Sequence, residues 1–156
     1  MNKTEELQQL AQKSLYLGLD GGPIYAEHFS RLNKEIQILS DALYSVKGDT
    51  PEEEAGICLA LLMGYNATIY SDKDKEAKKQ SILDRAWEVL EQLPPSLLKC
   101  QLLTYCYGEV FEEELAQEAH AIIDSWQGRE LTSKEQEVVE NLRNLEENQY
   151  PYSDFE

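Results

Sequence analysis

The stretch TPEEEAGICLALLMGY, residues 50–65, decides the fold. Thr50 stands where its hydroxyl can cap the N–H of Glu53 while the Glu53 carboxylate reaches back, and Pro51 takes the first helical position. Glu52, Glu53 and Glu54 then sit near the positive end of the helix dipole. From 57 to 63 the helix is apolar nearly all round, which marks a central, buried helix. Tyr65, Ile69 and Tyr70 continue it.

Upstream, Lys47-Gly48-Asp49 breaks a pattern of Phe29, Leu32, Ile36, Leu39, Leu43 and Val46, spaced 3, 4, 3, 4, 3. So narrow a seam packs on one neighbouring helix, most simply the preceding one in an antiparallel hairpin. That first helix shows Leu7, Leu10, Ala11, Ser14 and Leu15, and ends at Gly18 and the turn Asp20-Gly21-Gly22-Pro23. Downstream, Ser71-Asp72-Lys73-Asp74 is a polar connection, followed by Ile82, Leu83, Ala86, Trp87, Val89, Leu90 and Leu93 at helical spacing, stopped by Pro94-Pro95. Residues 97–107 read as another largely buried helix ending at Gly108. Leu115, Ala119, Ile122, Ile123 and Trp126 mark the next, closed by Gly128. Thr132-Ser133-Lys134-Glu135 is a second capping box, opening a last helix with Val138, Val139, Leu142 and Leu145.

The fold expected is all-α, about seven helices packed as antiparallel hairpins. Ala86, Val89, Leu90 and Leu93 recur 33 residues on as Ala119, Ile122, Ile123 and Trp126, each set preceded by a buried helix. A period near 33 is that of helix-turn-helix solenoids such as tetratricopeptide repeats, whose consensus residues are mostly missing. The 156 residues are read as one domain, 1–149, with 150–156 as a mobile tail without period. Three cysteines, Cys58, Cys100 and Cys106, form no CxxC and sit among apolar residues, as core side chains of a reducing compartment do. The first residues lack a secretory pattern, and the longest apolar run, 57–63, falls far short of the roughly 20 residues needed to cross a bilayer. A cytoplasmic location is expected.

Charge is the strongest compositional feature: 30 Asp and Glu against 14 Lys and Arg, formally −16. Nucleic acid and anionic membranes reward clustered cations, so neither is expected as a direct ligand; a basic protein is the natural counterpart. Residues 1–100 hold 16 acids and 11 bases, residues 101–156 hold 14 and 3. The C-terminal third is therefore an acidic pole, centred on Glu109, Glu112, Glu113, Glu114 and Glu118, then Glu135, Glu137 and Glu140. A charge run is ordinarily a solvated face, but an asymmetry of this size also steers association. Lys73, Lys75, Lys78 and Lys79 are interleaved with acids and lack aromatic platforms, so they make no nucleic-acid site.

Signs of catalysis are missing. His28 and His120 belong to no HExxH or Glu-x-x-His pattern, and Glu118 is two residues from His120, pointing elsewhere on a helix. No GxGxxG, GxxxxGK[ST] or GxSxG occurs. The triplets Glu52–54 and Glu112–114 splay over about 200° of helix surface, so they do not converge on a metal. No catalytic residue, metal ligand or cofactor is assigned, and the chain is read as a binding protein.

Leu15-Tyr16-Leu17-Gly18-Leu19-Asp20-Gly21, Pro51-Glu52-Glu53-Glu54-Ala55 through Leu61-Leu62-Met63-Gly64-Tyr65-Asn66-Ala67-Thr68, and Leu97-Leu98-Lys99-Cys100-Gln101-Leu102-Leu103 resemble the UpxZ family. So do Cys106-Tyr107-Gly108-Glu109-Val110-Phe111, Glu118-Ala119-His120-Ala121-Ile122-Ile123 with Trp126, and Leu145-Glu146-Glu147-Asn148 followed by Tyr150-Pro151. The resemblance implies a small regulator of capsular polysaccharide loci. It would inhibit UpxY proteins, NusG-like antitermination factors, of other loci while sparing its own, by protein–protein contact without catalysis or cofactor. No binding residues carry over from it. The acidic pole, Glu112, Glu113, Glu114, Glu118, Glu135, Glu137 and Glu140, is the partner-binding face expected from charge. Two rivals stay open: an acidic helical-hairpin adaptor or chaperone gripping an extended peptide, and a small helical enzyme with a scattered site around His28 or His120.

Overall fold

A computed structural model describes residues 2–15, 26–67 and 74–147. The expected turn at 20–23, the helix end at Gly18, the extension to Ile69 and Tyr70, the connection at 71–73 and the tail at 150–156 lie outside the described residues, as do the side chains of Leu15, His28 and Phe29. Among the described residues there are seven helices and no strand: α1 Lys3–Leu15, α2 Ala26–Tyr44, α3 Pro51–Ala67, α4 Lys75–Leu90, α5 Leu97–Val110, α6 Glu113–Asp124 and α7 Ser133–Glu147. The chain is all-α. It divides into two compact units, Met1–Val89 and Leu90–Glu156.

In the first unit α3 is the axis. Ala55, Ile57 to Met63 without interruption, Gly64, Tyr65 and Ala67 are all buried, and each large apolar side chain removed from water contributes about 1.5–3 kcal/mol. The N-terminus forms as its sequence dictates: the Glu53 N–H donates to Thr50 Oγ1 at 3.1 Å. The Glu53 carboxylate reaches one residue further back than a strict capping box, accepting the Asp49 N–H at 3.0 Å. α1 runs alongside α3 in the same direction, Gln8 donating to the Gly56 carbonyl (3.5 Å) and Ser14 to the Ala67 carbonyl (3.3 Å). α2 packs on both. The three meet at Gly64, where a Cβ would lie 2.6 Å from Ser40 Oγ and 3.1 Å from Leu7 Cδ1. α1 therefore packs on α2 as the hairpin pattern requires, and on α3 as well.

The α2 seam differs from its spacing at the end. Leu32, Ile36 and Leu43 are buried and Leu39 is half-buried, but α2 stops at Tyr44 and leaves Val46 42% exposed in the following turn. Ser40 takes a buried place on that face instead, its hydroxyl without a hydrogen-bond partner. The turn is pinned from α4. The Arg85 guanidinium donates to the carbonyls of Tyr44 (3.2 Å) and Val46 (2.7 Å) and, through Nε and Nη2, to both oxygens of Glu54 at 2.8 Å. Glu54 in turn accepts the Gly48 N–H at 2.9 Å. Gly48 is required there, since a Cβ would fall 2.2 Å from the Glu54 nitrogen.

In the second unit α5 is the axis, with α6 and α7 packed against it. Ser96 caps its start, accepting the Lys99 N–H at 3.1 Å. The helix does not end at Gly108. It runs to Val110 and is closed by Phe111 in the left-handed conformation, φ 52°, whose N–H donates to the Tyr107 carbonyl at 2.8 Å. Gly108 serves packing: the space of its missing side chain admits Leu145 of α7, whose Cδ atoms would lie 3.3 Å from a Cβ. The Phe111 ring meets Tyr107 edge-on, centroids 5.3 Å apart, which offsets the cost of about 1–2 kcal/mol for a side chain in that backbone region.

The 33-residue echo holds locally. Ala86, Val89, Leu90 and Leu93 are buried, as are Ala119, Ile122 and Trp126, with Ile123 half-buried. The Leu93 N–H donates to the Leu90 carbonyl as the Trp126 N–H does to that of Ile123. Trp87, counted in the α4 stripe, lies instead at its edge and is 38% exposed.

Candidate protein-binding face

The acidic pole is built mainly on α6. Glu112 precedes the helix with no side-chain cap, and Glu113 and Glu114 occupy the first turn, where carboxylates offset the exposed N–H groups. One face, Leu115, Ala116, Ala119 and Ile122, is buried. The opposite arc carries Glu113, Glu114, Gln117, Glu118, Ala121 and Asp124 into solvent. This division follows from the spacing of apolar residues at three and four positions, which leaves the carboxylates no other side.

The remaining members of the expected face are placed differently. Glu118 pairs with Lys99 at 2.6 Å, and the Lys99 ammonium also donates to the Leu93 carbonyl at 3.1 Å. Glu140 is exposed beside Arg143 at 3.9 Å, and Glu137 is half-buried. Glu135 is buried, and its roles are internal. It accepts the Thr132 N–H at 2.8 Å while its own N–H donates to Thr132 Oγ1 at 3.2 Å, completing the capping box of α7. It also holds the Arg129 guanidinium in two bonds of 2.9 and 2.6 Å, and Arg129 lies 5.8 Å from the Trp126 ring centroid. Those Arg129 bonds, with the Thr132 N–H, hold its carboxyl down to about 2. The structure thus leaves Glu112, Glu113, Glu114 and Glu118 exposed and turns Glu135 to folding. The buried role of Glu135 was legible in its capping-box position.

The other described candidate groups, His120 and the cysteines, have ordinary structural partners. His120 is exposed and bridges α6 to α7 through Glu146 at 2.8 Å, while Glu118 points to Lys99. All three cysteines are buried free thiols; burial pushes Cys58 up to about 12 and Cys100 to about 11, the opposite of activation. Among the described residues no group of three or more His, Cys, Asp or Glu could hold a metal ion, and no helix is long and apolar enough to cross a membrane. An open groove outside α1, lined by Glu6, Gln9, Leu10 and Lys13, contains neither histidine nor thiol.

Against this frame of buried α3 and α5 and a solvated acidic α6, known proteins are informative. Residues 4–108 match the model of the UpxZ family of transcription anti-terminator antagonists. The chain belongs to the UpxZ family. A crystal structure of a transcription anti-terminator antagonist UpxZ from Bacteroides uniformis ATCC 8492 is similar at 51% sequence identity with a TM-score of 0.88, covering 97% of this chain and 94% of that one. No curated protein matches. The family is one of transcription anti-terminator antagonists, and the family-matched segment ends at Gly108, before Glu109 and the glutamates at the start of α6.

Proposed function

We propose that this protein is a negative regulator of transcription antitermination that binds NusG-like UpxY antiterminators of non-cognate capsular polysaccharide loci, giving hierarchical control of those operons. The observation that carries the proposal is the 51% identity, over nearly the whole chain, to an anti-terminator antagonist. The action is stoichiometric binding, without catalysis or cofactor, in the cytoplasm beside RNA polymerase. The exposed side of α6, Glu112, Glu113, Glu114 and Glu118, suits a basic partner surface, with Glu137 and Glu140 of α7 adding to the field. Glu135 is left out of that face because it is buried against Arg129.

The test is a binding series with several purified antiterminators, cognate and non-cognate, followed over ionic strength. Binding is expected to the folded non-cognate proteins. The triple substitution of Glu112, Glu113 and Glu114 by Lys should slow association about tenfold at low salt and flatten its salt dependence. Failure to bind any antiterminator would remove the proposal in its direct form. Capture of an unfolded segment in place of the folded domain would favour the adaptor class, and an unchanged association rate would acquit the acidic face.

A further inference from the structure

The fold treats the two tryptophans of this chain unequally. Trp126 is 8% exposed and has the Arg129 guanidinium 5.8 Å from its ring, with Glu135 taking that guanidinium's N–H groups. Trp87 on α4 is 38% exposed, and among the described residues no Lys or Arg stands over it. At about 100° per residue, Trp87 shares its side of α4 with Glu76, Gln80 and Asp84, and Glu88 follows about 100° round; all are exposed. The Gln80 amide donates to Asp84 Oδ1 at 3.2 Å and steadies that carboxylate beside the indole.

Two cations of the helix, Lys78 and Arg85, are turned away, and Lys79 lies about 80° round from Trp87 on the side opposite Asp84. Lys78, roughly 180° from Trp87, pairs with Asp41 at 3.6 Å and lies 5.8 Å from the Tyr44 ring. Arg85 is committed to Glu54, Tyr44 and Val46. One side of α4 therefore presents an indole and carboxylates, the two members of the Trp126–Arg129–Glu135 arrangement that remain when the arginine is removed. A tryptophan face is the strongest aromatic site for a guanidinium, and an exposed Trp is the side chain most often found at the energetic centre of protein interfaces.

We propose that this side of α4 docks an arginine-bearing basic segment of a protein partner, the guanidinium stacking on Trp87 while Asp84 accepts its N–H groups. Lysine fits less well, because an ammonium is a compact, strongly hydrated charge without a planar face. The identity of the partner rests on the antagonist function proposed above; the recognition chemistry does not.

The test uses the full chain, labelled with nitrogen-15, titrated with an unstructured Gly/Ser peptide carrying several arginines and with its lysine counterpart. Trp87→Phe assigns the Trp87 indole N–H signal. The expected result is a shift of that signal and not of the Trp126 signal, about three-fold or more weaker with lysine and reduced in Asp84→Asn. In parallel, Trp87→Ala and Trp87→Phe are compared for binding to a non-cognate antiterminator, with circular dichroism to verify folding; Trp87→Ala should weaken binding about tenfold or more. No selective shift at millimolar peptide, or equal shifts with lysine and in Asp84→Asn, would overturn the proposal. A Trp87 signal that moves with protein concentration alone would also overturn it, by making a second copy of the chain the occupant. If the peptide shifts Trp87 but the wild-type protein binds no antiterminator, the docking chemistry stands and the antagonist function falls.

Discussion

Replacing Arg85 by Met should lower the stability of this protein by about 3 kcal/mol. Methionine keeps most of the apolar stem and removes the guanidinium. Four hydrogen bonds go with it: two to Glu54 at 2.8 Å, one to the Tyr44 carbonyl at 3.2 Å and one to the Val46 carbonyl at 2.7 Å. The side chains of Arg85 and Glu54 are only 13% and 17% exposed. An exposed ion pair contributes about 0–1 kcal/mol, whereas removing one partner of a buried pair costs about 3–5 kcal/mol. This pair lies nearer the second limit, moderated because Glu54 keeps the Gly48 N–H and gains some water. For a chain of this length each kcal/mol moves the melting temperature by about 2–4 °C, so a drop of about 6–12 °C is expected in circular dichroism at pH 7. Glu54→Gln should then add little to Arg85→Met, giving a coupling energy of about 1.5–3 kcal/mol in the double-mutant cycle. Acid supplies a second check. The Arg85 hydrogen bonds hold the Glu54 carboxyl below its ordinary 4.5, against the opposing effect of burial. A depressed folded value means the stabilisation is complete above the unfolded value and lost as pH falls through the folded one. The gap between wild type and Arg85→Met should therefore narrow below pH 4.5. A melting temperature within about 2 °C of wild type at pH 7, or strictly additive single-mutant losses, would refute the account.

Three further substitutions test the frame. Gly64→Ala forces a Cβ to 2.6 Å from Ser40 Oγ and 3.1 Å from Leu7 Cδ1 and should cost about 1–3 kcal/mol by urea titration, whereas Ser40→Ala, which deletes a buried unpartnered hydroxyl, should be neutral or stabilising. Glu135→Gln should make stability less sensitive to acid: with the folded carboxyl at about 2 and the ordinary value at 4.5, the wild-type contribution is whole above pH 4.5 and fades toward 2. Urea midpoints at pH 5 and pH 3 should differ more for wild type than for the variant, and equal differences would count against the Arg129–Glu135 bonds as its cause.

Much of the fold was legible because its signals are local. Thr50-Pro51 and the box from Thr132 to Glu135 start helices by bonds spanning three residues, and the unbroken apolar run 57–63 can only be a buried helix once its length and caps are known. Misplacements arose where one residue type serves two purposes. Gly108 reads as a stop, since glycine ends helices, but it also lets Leu145 approach; Phe111, an unfavoured residue for the left-handed cap, closes α5 instead. Trp87 fits the period of α4 yet sits at the edge of its stripe, and a shift of one position, about 100°, separates core from surface.

The acidic pole shows the same division. The sequence alone determined that the last third of the chain carries most of the net negative charge and that all-α packing must bury 57–63. Tertiary structure decided how each carboxylate is placed. Glu135 is drawn inward by Arg129 and Thr132, Glu118 is tied to Lys99, and Glu112, Glu113 and Glu114 stay in solvent at the start of α6. It also turned Arg85 and Lys78 toward α2 and α3 and left Trp87 uncovered. Charge counts are sums over a chain and survive any fold; the pairing of a charge depends on distances of a few ångströms between residues far apart in sequence, and only the packed helices set those.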